Sequence, residues 1–103
     1  MITENIMLCS ESKRMLKHLS IDQDIYVSTM LVNGAKYLID DDPESIDKSS
    51  DYCNDFSPFT MKIDKDLKDE IKKFCKEKEI KIKDFWNEVA KIIIINNGVI
   101  DEN

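Results

Sequence analysis

Glycine and proline are scarce in this 103-residue chain, with two of each. Because both residues are common in turns, such a low number favours long helices over a turn-rich β fold. No apolar run reaches the roughly 18 residues of a membrane span, and the acidic, polar start lacks the basic-then-apolar pattern of a secretory signal. We therefore expect a cytoplasmic protein that does not enter a membrane and folds as a single domain over 1–103.

Residues that commonly carry chemistry are also few. The three cysteines, Cys9, Cys53 and Cys75, are odd in number and lack C-x-x-C spacing, which argues against a metal site or a disulfide framework. We expect Cys9 and Cys75 to be small buried side chains and Cys53 to be a free thiol in a loop. With one histidine, His18, and no glycine-rich phosphate loop, the usual catalytic constellations are missing. We expect no enzymatic activity, no cofactor and no metal.

Two hydrophobic periods follow one another in the second half of the chain. Phe59, Met61 and Ile63 alternate with Thr60 and Lys62, and this period of two is typical of a strand with one buried side. The apolar spacing then changes to three and four residues, which predicts an amphipathic helix over 65–78. After a charged corner, a second helix is predicted over 80–95.

The N-terminal half follows the same order. Ile6 and Leu8 share one face of a predicted strand, opposite Asn5 and Met7. Ser10 or Ser12 is expected to accept hydrogen bonds from the first turn of the helix that follows. Residues 25–39 would suit a strand by their β-branched content, but their small residues and apolar spacing favour a helix.

An internal repeat relates the two halves. An offset of 55 positions, which places Ile25 on Ile80 and Ala35 on Ala90, aligns them without a gap. Acidic residues, serine and proline in the intervening segment indicate a hydrated connector. The predicted divisions are a first unit over 3–39, an acidic linker over 40–57, a second unit over 58–97 and a tail over 98–103.

This order and spacing resembles the ribbon-helix-helix fold of the Arc, MetJ and CopG-type repressors. The resemblance is closest over 59–95, where Phe59-Thr60-Met61-Lys62-Ile63 stands in place of the family's ribbon and Glu79-Ile80-Lys81-Ile82-Lys83-Asp84-Phe85-Trp86 in place of its helix–helix corner. The first unit is a weaker copy. The resemblance implies a mainly α fold with a short two-stranded antiparallel ribbon, built as a tandem pseudo-dimer within one chain.

The resemblance also implies two sets of DNA-contacting residues. The groove-facing ribbon side chains would be Asn5, Met7, Thr60 and Lys62; lysine can donate to guanine, asparagine can pair with adenine, and the threonine methyl can contact the methyl of thymine. In the family, amides at the start of each second helix hold a DNA phosphate, as exposed helix N-termini do. The matching positions are Tyr26, Val27, Ser28, Lys81, Ile82 and Lys83.

The negative net charge of the chain leaves a second function open. The net charge is −6 and Arg14 is the only arginine, whereas affinity for DNA draws on lysine and arginine; the family's corner glycine is Asp24 in one unit and Glu79 in the other. The first reading is a small DNA-binding regulator, a repressor or a plasmid or phage maintenance factor, acting on double-stranded DNA as a dimer of single-chain units. The second is an acidic protein-binding module, antitoxin-like or an inhibitor, that meets a basic protein partner. Thr60 and Lys62 would then be only the hydrated side of a strand.

Overall fold

Two strands and four helices make up the chain, in the order strand, helix, helix, strand, helix, helix. The computed structural model describes residues 1–44, 46 and 53–98. The elements are β1 (Ile2–Cys9), α1 (Ser10–Gln23), α2 (Val27–Asp41), β2 (Phe56–Ile63), α3 (Lys65–Lys78) and α4 (Ile82–Ile95). The prediction of a mainly helical fold with a two-stranded antiparallel sheet is confirmed.

The two strands form one antiparallel ribbon whose register runs from Ile2 opposite Ile63 to Cys9 opposite Phe56. Alternate side chains point toward the helices and are buried, with Leu8 0% and Ile63 1% exposed. The predicted period of two in both strands is therefore confirmed. Burying one face of an antiparallel pair fixes its register, because a slip by one residue would turn every apolar side chain to water.

The core lies between the ribbon and the four helices, with α4 at its centre. Five side chains of α4 are completely buried: Phe85, Trp86, Val89, Ala90 and Ile93. Helix α2 packs closely on α4, because Gly34 has no side chain: a Cβ there would lie 2.8 Å from Val89 Cγ1. In the isoleucine run that ends α4, Ile93 is buried whereas Ile95 is 68% exposed, so the run is not buried as a whole.

A residue in the left-handed conformation follows each helix, directly after α1, α2 and α3 and two residues after the end of α4, and none of these four residues is glycine. They are Asp24, Asp42, Glu79 and Asn97. The Gly98 amide closes α4 by donating to the Ile93 carbonyl at 2.8 Å. The predicted serine cap of α1 is wrong. Cys9 occupies that position without a side-chain hydrogen bond, and the Ser10 hydroxyl bonds to that of Ser57 at 2.6 Å instead.

The expectation that the cysteines form no disulfide, with Cys53 a free thiol, is wrong for two of them. Cys9 and Cys53 form a disulfide with a Cα–Cα distance of 5.9 Å, which lies in the usual range for such bonds. Strand pairing brings them together, because Cys9 lies opposite Phe56 and Cys53 precedes Phe56 by only three residues. Cys75 is a free, buried cysteine, as predicted.

The unit boundaries differ at the connector. Helix α2 continues to Asp41 and β2 begins at Phe56, so the segment between them is shorter than the predicted 40–57 linker. Much of that segment, and the tail after 98, lies outside the described residues. No helix in the described part of the chain is long and apolar enough to cross a bilayer. The cytoplasmic location stays a prediction.

Candidate nucleic-acid interface

The ribbon has one face that the helices do not cover. Its exposed side chains come from alternate positions of the two strands: Thr3, Asn5 and Met7 on β1, and Pro58, Thr60 and Lys62 on β2. The register arranges them as three cross-strand pairs, Thr3 with Lys62, Asn5 with Thr60, and Met7 with Pro58. All four predicted ribbon residues therefore lie together on one surface, which we call the ribbon face.

A side-chain hydrogen bond joins the middle pair of the ribbon face. The Thr60 hydroxyl donates to Asn5 Oδ1 at 2.7 Å. Cross-strand pairs of this kind stabilise a ribbon modestly. The bond also orients the Asn5 amide so that its NH2 group is left to donate elsewhere.

Lys62 is the only charged side chain on the ribbon face. The carboxylate of β1, Glu4, belongs to the opposite side of the strand, where its side chain is 16% exposed and lies 3.8 Å from Lys68 Nζ. Acidic though the chain is overall, this surface presents one positive charge and no carboxylate. A major groove lined by phosphates tolerates such a surface, whereas carboxylates there would be repelled.

Two further lysines lie at the end of the ribbon where Cys9 pairs with Phe56. Lys83 Nζ is 3.6 Å from the centre of the Phe56 ring, and Lys13 Nζ donates to the Pro58 carbonyl at 2.8 Å. Neither of these contacts involves a carboxylate, so neither contact places a negative charge beside the ammonium groups at the margin of the ribbon face.

Asn87 attaches α4 to this end of β1. Its Oδ1 accepts from the Cys9 amide at 2.8 Å, and its Nδ2 donates to the Met7 carbonyl at 3.0 Å and to the Lys83 carbonyl at 2.8 Å. The side chain is 4% exposed. These bonds fix the first turn of α4 beside the ribbon, which places Lys83 at its edge.

The six residues predicted to hold phosphates lie at the starts of α2 and α4. Tyr26 and Lys81 are the residues that precede the two helices, and neither side chain caps the helix. Helix α2 has no acidic residue in its first turn, whereas α4 has the buried Asp84. An anion would be attracted more strongly to the start of α2, because Asp84 offsets the positive end of the α4 dipole.

Three residues of this surface were missed by the sequence analysis. Thr3 and Pro58 share the ribbon face, and extending the period of two by one step on each strand would have found them. Lys13 could not have been found in that way, because its position beside Pro58 depends on how α1 packs against β2.

The free cysteine takes no part in this surface. Cys75 is buried on α3; burial, and then the charge of Asp84, raise its pKa to about 11. Because the thiolate is the reactive form, the raised pKa lowers the reactivity of this thiol at neutral pH.

Comparison with known proteins adds no relative: no family model matches the chain, and neither the curated proteins nor the solved structures give a match.

Proposed function

We propose that the protein is a small DNA-binding regulator that inserts its two-stranded ribbon into the major groove. The observation that carries the proposal is the ribbon face, six exposed side chains that include one lysine and no carboxylate. A two-stranded ribbon fits the major groove of B-DNA, where base edges present donors, acceptors and the thymine methyl. Tyr26, Val27, Ser28, Lys81, Ile82 and Lys83 are the proposed phosphate contacts, together with Lys13.

We further propose that the chain is a tandem ribbon-helix-helix pseudo-dimer. Helices α1 and α3 both have 14 residues and begin 55 positions apart, at Ser10 and Lys65. The left-handed residues that end these helices, Asp24 and Glu79, have the same offset. A two-fold axis relating the halves requires one residue of β1 to pair with its own equivalent, and Asn5 pairs with Thr60, again 55 positions away.

The test is the binding of short duplexes at several salt concentrations, measured by fluorescence anisotropy. If Lys13, Lys81 and Lys83 each neutralise one phosphate, affinity should fall about 40-fold between roughly 50 and 200 mM salt. Lys62→Ala should weaken binding to a preferred duplex by about 5- to 160-fold, since a base contact is typically worth 1–3 kcal/mol. Thr60→Ala should act in the same direction.

Lys72→Ala is the matched control, because Lys72 is an exposed lysine two turns into α3. It should leave binding within about twofold of the unsubstituted protein. Full affinity of Lys62→Ala would exclude groove reading by the ribbon face, and failure to bind any duplex at low salt would exclude DNA binding.

One observation favours a second candidate, an acidic module that binds a basic protein. Asp40, Asp41, Asp42 and Glu44 are exposed close together at the end of α2, and among them Asp42 pairs with Lys78 at 2.8 Å. Such a cluster would steer a basic partner by long-range attraction. If no duplex binds, affinity purification on the immobilised protein should recover a basic protein and lose it when these residues are changed to Asn and Gln.

A further inference from the structure

We propose that a single chain reads a non-palindromic DNA sequence, because the two ends of its ribbon face have different chemistry. This inference rests on the proposed DNA-binding function and adds the class of site that is bound. In a homodimer whose two identical strands form one ribbon, the two-fold axis makes both ends of the ribbon alike, so the DNA site that it reads is palindromic. Here the two strands belong to one chain and have different side chains at the positions that the offset of 55 relates.

The geometry of the ribbon face makes its ends comparable. The pair Asn5–Thr60 lies in the middle, and the pairs Thr3–Lys62 and Met7–Pro58 lie two residues away in opposite directions. Pro58 and Lys62 are four residues apart on one strand, a distance of about 14 Å at 3.4 Å per residue. With about 3.4 Å per base pair along the DNA axis, the ribbon face spans about four base pairs.

One end of the ribbon face carries side chains that donate hydrogen bonds. Lys62 and Thr3 provide an ammonium and a hydroxyl, both on exposed side chains. In the major groove, lysine donates best to guanine, which presents O6 and N7 as neighbouring acceptors. This end should therefore select guanine.

The other end has no side-chain donor or acceptor of comparable strength. Met7 is 41% exposed and lies opposite Pro58, so an apolar thioether and a pyrrolidine ring meet the groove. Apolar side chains contact the methyl group of thymine, the only apolar group on the major-groove edges. This end should select thymine. It should disfavour guanine, because Met7 and Pro58 would bury the hydrogen-bonding groups of guanine without offering them a partner.

The lysines that could contact the DNA backbone are also distributed unequally between the two ends of the ribbon face. At the Met7–Pro58 end, Lys13 and Lys83 contact a carbonyl and an aromatic ring, respectively, and neither of these groups is a carboxylate. At the opposite end, Lys68, which the offset of 55 relates to Lys13, is paired with Glu4. Phosphate contacts should therefore be stronger beside the thymine end, which gives the bound chain one orientation on the duplex.

The experiment selects sequences from duplexes of about 16 base pairs with a randomised centre, using the full chain. The longest extent of the chain is 35 Å, about one turn of B-DNA, so a duplex of this length has room for one chain on the face it binds. Complexes with one chain per duplex are isolated by gel mobility and sequenced. The unsubstituted protein should enrich a motif with guanine at one end and thymine at the other, with at least about tenfold preference over the exchanged base.

Two reciprocal substitutions change the symmetry of the ribbon face. Met7→Lys gives both ends a lysine and should enrich motifs with guanine at both ends, related by a two-fold axis. Lys62→Met gives both ends a methionine and should abolish the preference for guanine. Lys72→Met, the same chemical change on α3, should retain the motif of the unsubstituted protein. All three positions are exposed, and circular dichroism with thermal unfolding verifies that each variant folds.

The outcomes separate this inference from the proposed function. A palindromic motif for the unsubstituted protein, or salt-dependent binding without any enriched motif, would overturn the inference and leave DNA binding intact. An asymmetric motif that Met7→Lys leaves unchanged would also overturn it, because the asymmetry would then have another source. Failure to bind any duplex would remove the proposed function and the inference together.

Discussion

Single side chains decide how the ribbon is presented, and Asn87 is the clearest case. It is the only residue whose side chain bonds both to the backbone of β1 and to its own helix among the contacts found in the described part of the chain. Its repeat equivalent in α2 is Val32, which cannot form such bonds. The two halves therefore hold their strands differently, even though their helices have closely matching bounds.

Asn87→Ala should lower the free energy of unfolding by about 2–3 kcal/mol, because it leaves partly buried backbone groups of β1 without their Asn87 partner. Urea unfolding followed by circular dichroism measures the loss.

Asn96→Ala is the control for that substitution. Asn96 donates to a carbonyl of α4 from an exposed position, so its removal should cost within about 0.5 kcal/mol. Equal losses for the two variants would contradict the role assigned to Asn87.

At the scale of the elements, the helix ends are determined by backbone geometry more than by residue preference. Asp24 and Glu79 adopt φ of 54° and 56°, the left-handed region in which a side chain costs about 1–2 kcal/mol. The hydrogen bonds that close α3, from Glu79 and Ile80 to carbonyls of its last turn, compensate for that cost. Both corners therefore adopt the left-handed conformation without a glycine.

Glu79→Gly should therefore raise the free energy of unfolding by about 1 kcal/mol, since glycine adopts the left-handed region without strain. Thermal unfolding should show a higher midpoint.

Glu77→Gly, two residues earlier, should change the free energy of unfolding in the opposite direction. Glu77 is exposed within the last turn of α3, where glycine should cost about 0.5–1 kcal/mol. A loss of stability in Glu79→Gly would contradict the left-handed conformation at this corner.

For the whole molecule, the pairing of β1 with β2 and the disulfide both connect distant parts of the chain. β1 and β2 lie 54 positions apart at their first residues, and the Cys9–Cys53 bond has a sequence separation of 44. Disulfides persist mainly in oxidising compartments. In a reducing cytoplasm, Cys9 and Cys53 would be two neighbouring thiols, and the ribbon would depend on packing and hydrogen bonds alone.

Closing a loop of this length should stabilise the oxidised chain by about 4 kcal/mol, through the entropy lost from the unfolded state. Reductant, or Cys53→Ser, should lower the urea midpoint accordingly.

The control for the disulfide is the Cys53→Ser protein. Reductant should have no further effect on its urea midpoint, because Cys9 has lost its partner and Cys75 is a free, buried cysteine. A midpoint that does not respond to reductant in the unsubstituted protein would contradict a stabilising role for this bond.

Hydrophobic periodicity predicted all six elements, because burial on one side of a strand or helix imposes a spacing that short segments already contain. It also placed Asn5, Met7, Thr60 and Lys62 on the exposed side of their strands. The disulfide and the neighbours Lys13 and Lys83 could not be predicted, since each depends on contacts between segments far apart in the chain. Element boundaries were less certain for the same reason: Phe56 and Ser57 became part of β2 through their pairing with β1.

By itself, the sequence determined which faces of each element are apolar, and hence that strand and helices must cover one another. Only the tertiary structure decided which strand residues lie opposite each other, that Asn87 bonds to β1, and that Cys9 meets Cys53. The physical reason is that local patterns specify what a segment buries, whereas partners are chosen by packing the whole chain at once.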